Sequence, residues 1–207
     1  MADARVEQVR EVIIGMRPVY TDTGNATELW LPSGEVLVDR RGVKAGVVAL
    51  ARSYAVDLKA QRQQLGQLFQ RSGGVLPFYL GRRVFVPVKM RKAVTKNDMV
   101  YGYLDADCIS DIKGGKFRQC RVLLKTGQEL EALSSPATAQ QSWYLGLSLL
   151  KELEGDAQEA RDEQQIMASV LALCRGLKEM ARRLERIEEH IAEAEFAYHY
   201  NREEPGN

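Results

Sequence analysis

Asp105, Asp107 and Asp111 stand within eleven residues, Tyr101-Gly-Tyr-Leu-Asp-Ala-Asp-Cys-Ile-Ser-Asp111. Alternate carboxylates on a strand share a face, and a shared face of carboxylates could hold a hard cation. They are also the only acids between Asp98 and Glu129, so balancing nearby cations is their plainer use. Catalysis on such a trio would need a base or nucleophile beside it, and the chain presents none of the motifs that bring one. It has no Gly-rich phosphate loop ending in Lys-Ser or Lys-Thr, no dinucleotide fingerprint and no nucleophile elbow. Cys108, Cys120 and Cys174 lack paired spacing, which fits a reducing compartment rather than a disulfide framework. His190 and His199 offer no ligand set at zinc spacing. The expectation is a non-enzyme with no metal and no cofactor.

The stronger chemistry is charge. From Arg40 to Lys125 the chain carries 18 Lys and Arg against 5 Asp and Glu, inside a whole-chain net charge of +1. Both flanks are acidic, with net charges of −4 over residues 1–39 and −8 over 126–207. Crowding one sign of charge opposes folding, so such a block points to a partner of the other sign, and nucleic acid is the obvious polyanion. With 45% apolar residues in 207, the chain can bury a core of one domain plus an extension. No apolar run approaches the ~20 residues that span a bilayer. Val12–Met16 follows acidic residues rather than a basic leader, so the expected location is the cytoplasm, with no membrane partner.

Elements must position those cations. Residues 3–15 could form a short helix before Gly15, Pro18 and a turn cluster at Thr21–Asn25. Residues 28–32 and 35–39 flank Ser33-Gly34 as a β-hairpin. Over Lys44–Phe69, Val47, Ala51, Tyr54, Leu58, Leu65 and Phe69 recur at helical steps. Lys44, Arg52, Lys59 and Arg62 would lie on the adjoining face, as a binding stripe or merely a solubilising one. A second hairpin joins Leu76–Leu80 to Val84–Val88 through Gly81-Arg82-Arg83, with Pro77 and Pro87 suggesting edge positions. Lys89, Arg91, Lys92 and Lys96 then form a basic loop. Met99–Ile109 reads as a strand, and Phe117–Lys125 pairs with Gln128–Leu133 across Thr126-Gly127. Between them Lys113-Gly-Gly-Lys116-Phe-Arg118 is a cationic tip, where glycine permits close approach to a ligand but equally serves an ordinary turn. Ser135-Pro136 opens a helix to about Glu154, and Gly155 begins a polar boundary.

Beyond it, Ile166, Val170, Leu173, Leu177, Met180, Leu184, Ile187, Ile191, Ala194 and Tyr198 keep an unbroken 4-3-4-3 spacing. That is the heptad seam of a coiled coil, most simply two-stranded, and in parallel register Arg183 would face Glu188 of the second copy. Met167, Cys174 and Ala181 widen the strip, which would also suit a helix folded back on its own domain.

Several short runs, in their order, are similar to a known family. They are Leu50-Ala-Arg-Ser-Tyr54 with the basic helix after it, Leu76-Pro-Phe-Tyr79, Val84-Phe-Val-Pro-Val88 and Tyr101-Gly-Tyr-Leu104 with Ile109. Leu124-Lys-Thr-Gly-Gln-Glu-Leu130, then Ser134 and a Gln-rich helix, complete the set. Over about residues 28–153 this resembles the ComK family of competence transcription factors. The chain departs from that pattern in having Ala51-Arg-Ser-Tyr54 and Asp57-Leu-Lys59 where the family has glycines, Phe85-Val-Pro87 for Phe-Pro-Thr, and a heptad tail besides. The resemblance implies a DNA-binding regulator and favours shape-sensitive contacts to AT-rich DNA.

The sequence therefore predicts an α+β chain in three parts. Residues 1–27 are an N-terminal segment, 28–154 a mainly antiparallel β domain with one or two packed helices, and 155–207 an acidic hinge and coiled-coil helix. Arg52, Lys59, Arg62, Arg82, Arg83, Lys89, Arg91, Lys92, Lys96, Lys113, Lys116 and Arg118 are the candidate contacts to double-stranded DNA. Ile166, Val170, Leu173, Leu177, Met180, Leu184, Ile187 and Ile191 are the candidate homodimer seam. The alternative is a scaffold whose coiled coil binds a partner and whose basic patch docks an acidic surface or its own tail; single-stranded nucleic acid and RNA also remain open.

Overall fold

The computed structural model describes residues 2–71, 73–96, 98–115 and 119–200, and the side chains in that range except those of 156–160, 181, 184, 185 and 187–200. Two compact units are present, Met1–Glu154 and Gly155–Asn207. In the first, strands β1 (Gly15–Thr21), β2 (Gly24–Trp30), β3 (Val36–Asp39), β4 (Phe78–Leu80), β5 (Arg83–Lys89) and β6 (Tyr101–Asp105) form one sheet in the order β3-β2-β1-β6-β5-β4. Every pairing in it is antiparallel. A second antiparallel sheet has the order β7-β8-β9, from β7 (Ile109–Gly114), β8 (Cys120–Leu124) and β9 (Glu129–Ala132). The helices are α1 (Val43–Ser53), α2 (Leu58–Leu68) and α3 (Pro136–Tyr200), so the class is α+β with antiparallel sheets.

Strand alternation divides the core in two. Val84, Val86 and Val88 of β5 face one way, where they join Leu104 of β6, Ile109, Val122 and Leu130 of the small sheet, and Ala139 and Leu149 of α3. Phe85 faces the other way, with Met16, Leu29 and Tyr103, and is covered by Val47 and Leu50 of α1. The first unit is thus layered as helix, large sheet, then small sheet with the start of α3. That start crosses β5 closely, since a Cβ at Gly146 would overlap Val86. Ser142 Oγ donates to the Pro87 carbonyl at 2.9 Å, and Trp143 Nε1 to that of Ala106 at 2.9 Å. Proline is tolerated at position 87 because β4 ends before reaching it, so the outward side of β5 there has no strand to pair.

On that same side of β5, β4 is itself protected by a side chain. The Gln61 amide of α2 donates to the Tyr79 carbonyl at 2.9 Å and accepts from the Tyr79 N–H at 3.0 Å, so the exposed edge of β4 is closed by a helix rather than a strand.

The three expected hairpins form, as β2–β3, β4–β5 and β8–β9. Ser135 Oγ accepts the Thr138 N–H at 3.2 Å, the expected cap ahead of Pro136. Four expectations are corrected. The helix over 44–69 is two helices, because Ala55 takes a left-handed φ of 56° and Asp57 caps a new start, accepting from the Lys59 and Ala60 N–H groups. Residues 3–15 hold only a 3-10 turn at Val6–Gln8, while Gly15 and Pro18 belong to β1. β6 pairs with β1 only at Gly15 and Met16, which leaves one side of Pro18 unpaired. The strand over 99–109 is broken by a 3-10 turn at Ala106–Cys108, which Asp105 caps by accepting the Asp107 N–H. The helix expected to end near Glu154 runs on through Gly155 as α3, although the division between the two units falls there. A single helical glycine costs about 1 kcal/mol, which the surrounding Glu, Gln, Ala and Arg tolerate.

Candidate functional site

The outer surface of α1 and α2 is prepared by a buried ion pair. Asp39, 3% exposed, ends β3 and accepts the Val6 N–H at 3.0 Å and the Arg41 N–H at 2.9 Å. The Arg41 guanidinium meets the same carboxylate at 2.6 Å and 2.9 Å and reaches Glu7 at 3.0 Å. Burial alone would raise the Asp39 carboxyl, but the Arg41 side chain and the two backbone donors outweigh it and hold it below its ordinary value. Glu7 is lowered by Arg41 as well. This node fixes the chain just before Gly42, which caps α1 without a side-chain acceptor.

From that start, Lys44, Val48 and Arg52 recur every four residues and form one exposed stripe of α1. On α2, Lys59 and Arg62 are exposed, and Arg71 follows the helix end, its N–H bonded to the Gly66 carbonyl at 2.9 Å. These side chains surround three adjoining hollows. Arg41, Lys44, Arg52 and Arg91 line the first, of about 610 Å³. Lys44, Lys59 and Arg62 line the second, of about 500 Å³. Lys59, Arg62 and Arg71 line the third, of about 570 Å³. The first and second share Lys44, Val48 and Met99, and the second and third share Lys59, Arg62 and Leu76, so the hollows make one trough. No Asp or Glu lines any of them.

One end of the trough is pinned by the loop after β5. The Arg91 guanidinium lies 4.1 Å from the Tyr20 ring centre, donates to the Met99 carbonyl at 2.8 Å and reaches Asn25 Oδ1 at 2.6 Å. Its Nη1 is buried without a hydrogen-bond partner among the described residues. Asp98 accepts from the Tyr20 hydroxyl at 2.5 Å and from the Thr95, Asn25 and Val94 N–H groups. Led by the Tyr20 hydroxyl, these donors hold the Asp98 carboxyl well below the usual carboxylate range. The loop is thereby tied to the β1–β2 hairpin.

Of the twelve cations expected to contact DNA, Arg52, Lys59, Arg62 and Arg91 lie on the trough. Arg41 and Arg71 join them unforeseen, with Lys44, which the sequence placed on the stripe but not among the contacts. Arg71 had no periodic signal, since it lies beyond the end of α2. Arg83 is elsewhere: it enters β5, pairs through Nε with the buried Asp105 at 2.8 Å, and donates to the carbonyls of Arg10, Glu11 and Ile13. A guanidinium so engaged is a structural strut and not a free phosphate contact. Arg82 is exposed at the β4–β5 turn, and Lys89, Lys92 and Lys96 are exposed without lining the trough. Lys113 sits on β7 of the small sheet, 3.8 Å from Asp111. Lys116 and Arg118 lie outside the described residues.

The aspartate trio does not converge. Asp105 pairs with Arg83 and Asp107 with Lys125 at 2.8 Å, and the 3-10 turn between them removes the strand alternation that would have put them on one face. Among the described residues no cluster of three or more His, Cys, Asp or Glu is placed to hold a metal ion.

In the second unit, Ile166, Val170, Leu173, Leu177 and Met180 are helical and between 48% and 64% exposed. The side chains of Leu184, Ile187 and Ile191 lie outside the described residues. Among those residues no helix is long and apolar enough to cross a membrane. No protein-family model, curated protein or solved structure matches this chain.

Proposed function

We propose that this protein is a DNA-binding regulator that holds duplex DNA along the α1–α2 trough and pairs two copies through the C-terminal helix. The observation that carries the reading is the trough itself, where Lys44, Arg52, Lys59, Arg62, Arg71 and Arg91 share a surface with no carboxylate lining it. Lys44, Arg52, Lys59, Arg62 and Arg71 have no acidic partner within ion-pair distance among the described residues, so their charge is available to phosphates. Phosphate contacts position a duplex but do not specify its sequence. Specificity then falls to groove shape, in keeping with the ComK resemblance and its AT-rich preference.

Pairing is supported by the exposed heptad residues Ile166, Val170, Leu173, Leu177 and Met180, an apolar surface to which Met167 and Leu171 add. A dimer would bring two troughs to one duplex. Anisotropy titrations of a labelled duplex test the binding. With about six phosphates neutralised, affinity falls roughly a thousandfold between 50 and 200 mM salt. Binding that ignores salt, or no binding at 50 mM, rules the reading out.

A further inference from the structure

The middle hollow of the trough differs from its neighbours. Its walls are aliphatic and aromatic, with Val47, Val48, Leu58, Val75, Leu76 and Phe78 beneath a rim of Lys44, Lys59 and Arg62. A surface serving phosphates alone has no use for an apolar floor, because a phosphodiester is bound by charge and hydrogen bonds. Two polar side chains, Tyr103 and Gln61, are set among these walls. Tyr103 is only 8% exposed, packs edge-on against Phe78 with ring centres 5.0 Å apart, and lines the hollow. Its hydroxyl makes no hydrogen bond to a described residue and, unlike Arg91 Nη1, is not a buried atom, so it opens to the hollow. The Arg62 charge acts on that hydroxyl.

We propose that this hollow binds a small amphiphilic carboxylate, an acyl chain lying on the apolar floor with its carboxylate accepting from the Tyr103 hydroxyl and facing Arg62 and Lys59. The volume of about 500 Å³ lies in the range of small-molecule sites, which are mainly apolar with a few convergent polar groups. A nucleobase fits less well. Its edge requires several donors and acceptors, and the amide of Gln61, the other polar side chain of the floor, is already engaged by Tyr79. Because the carboxylate would neutralise trough cations, its binding and that of DNA exclude each other. That consequence rests on the proposed DNA binding, whereas the site does not.

Calorimetry of the full chain with decanoate, decanol and decyltrimethylammonium, below their micellar concentrations, tests the site without DNA. Decanoate saturates one site per chain, and the other two bind at least about tenfold more weakly. Tyr103→Phe, which keeps the ring on Phe78, and Arg62→Ala, at an exposed position, each weaken decanoate about tenfold. Equal binding of all three amphiphiles, or full affinity in the double variant, overturns the site. Decanoate should also release a prebound labelled duplex. A chain that binds decanoate but no duplex at any salt removes the DNA reading and leaves the site standing, while simultaneous binding of both removes the exclusion.

Discussion

Arg83 and Lys59 belong to the same basic block in sequence, yet they do opposite things. Arg83 neutralises Asp105, 4% exposed, and satisfies carbonyls of the 10–13 segment, whereas Lys59 reaches open solvent at the trough. Arg83→Ala leaves a buried carboxylate without its partner and is expected to cost about 3 kcal/mol in denaturant unfolding. Lys59→Ala is expected to stay within about 0.5 kcal/mol of the parent while weakening DNA binding. At the head of α1, Asp39 has a folded value below its ordinary 3.8. Its contribution is therefore fully present above that pH and lost as pH falls through the lowered value. Asp39→Asn should cost about 2 kcal/mol at pH 7 and flatten the acid limb of a stability–pH curve below pH 3.8. An unchanged acid limb would mean that Asp39 is not held by Arg41 in solution. None of these roles is marked in the sequence, because the type of residue does not reveal whether a carboxylate folds against it.

At the scale of elements, hairpins and caps were legible, and helix continuity was not. Ser33-Gly34, Gly81-Arg82 and Thr126-Gly127 set their turns by local chemistry, so β2–β3, β4–β5 and β8–β9 could be read directly. The apolar spacing of 44–69 runs on across the break, since α1 and α2 both place their apolar residues against the domain. Only the left-handed Ala55 and the Asp57 cap interrupt it, and neither alters periodicity. The protection of β4 was equally invisible, because Gln61 lies 18 residues from the Tyr79 it covers. Gln61→Leu leaves two backbone groups of an edge strand unpaired. We expect a loss of about 2 kcal/mol by chemical denaturation and concentration-dependent association by light scattering. A monodisperse variant of unchanged stability would show that the amide contributes nothing to the edge.

For the whole molecule, segregated charge was the legible signal, and its resolution into a surface was not. The 18 cations between Arg40 and Lys125 include ion-paired struts such as Arg83, scattered exposed residues such as Arg82 and Lys113, and the set that surrounds the trough. Only the packing of α1 and α2 against β4 and β6 brings that last set together. Pairing is a separable property: residues 1–154 should sediment as a monomer where the full chain is a dimer, and bind DNA more weakly. A monomeric full chain would remove the coiled-coil reading while leaving the trough untouched. The central claim is that the trough, and not the basic block at large, holds the duplex. It is tested most directly by the slope of log affinity against log salt in two triple-alanine variants, one at Lys44, Lys59 and Arg62 and one at Arg82, Lys89 and Lys113. The account predicts a slope shallower by about 3 in the first and unchanged in the second; equal changes in both, or none in the first, would contradict it.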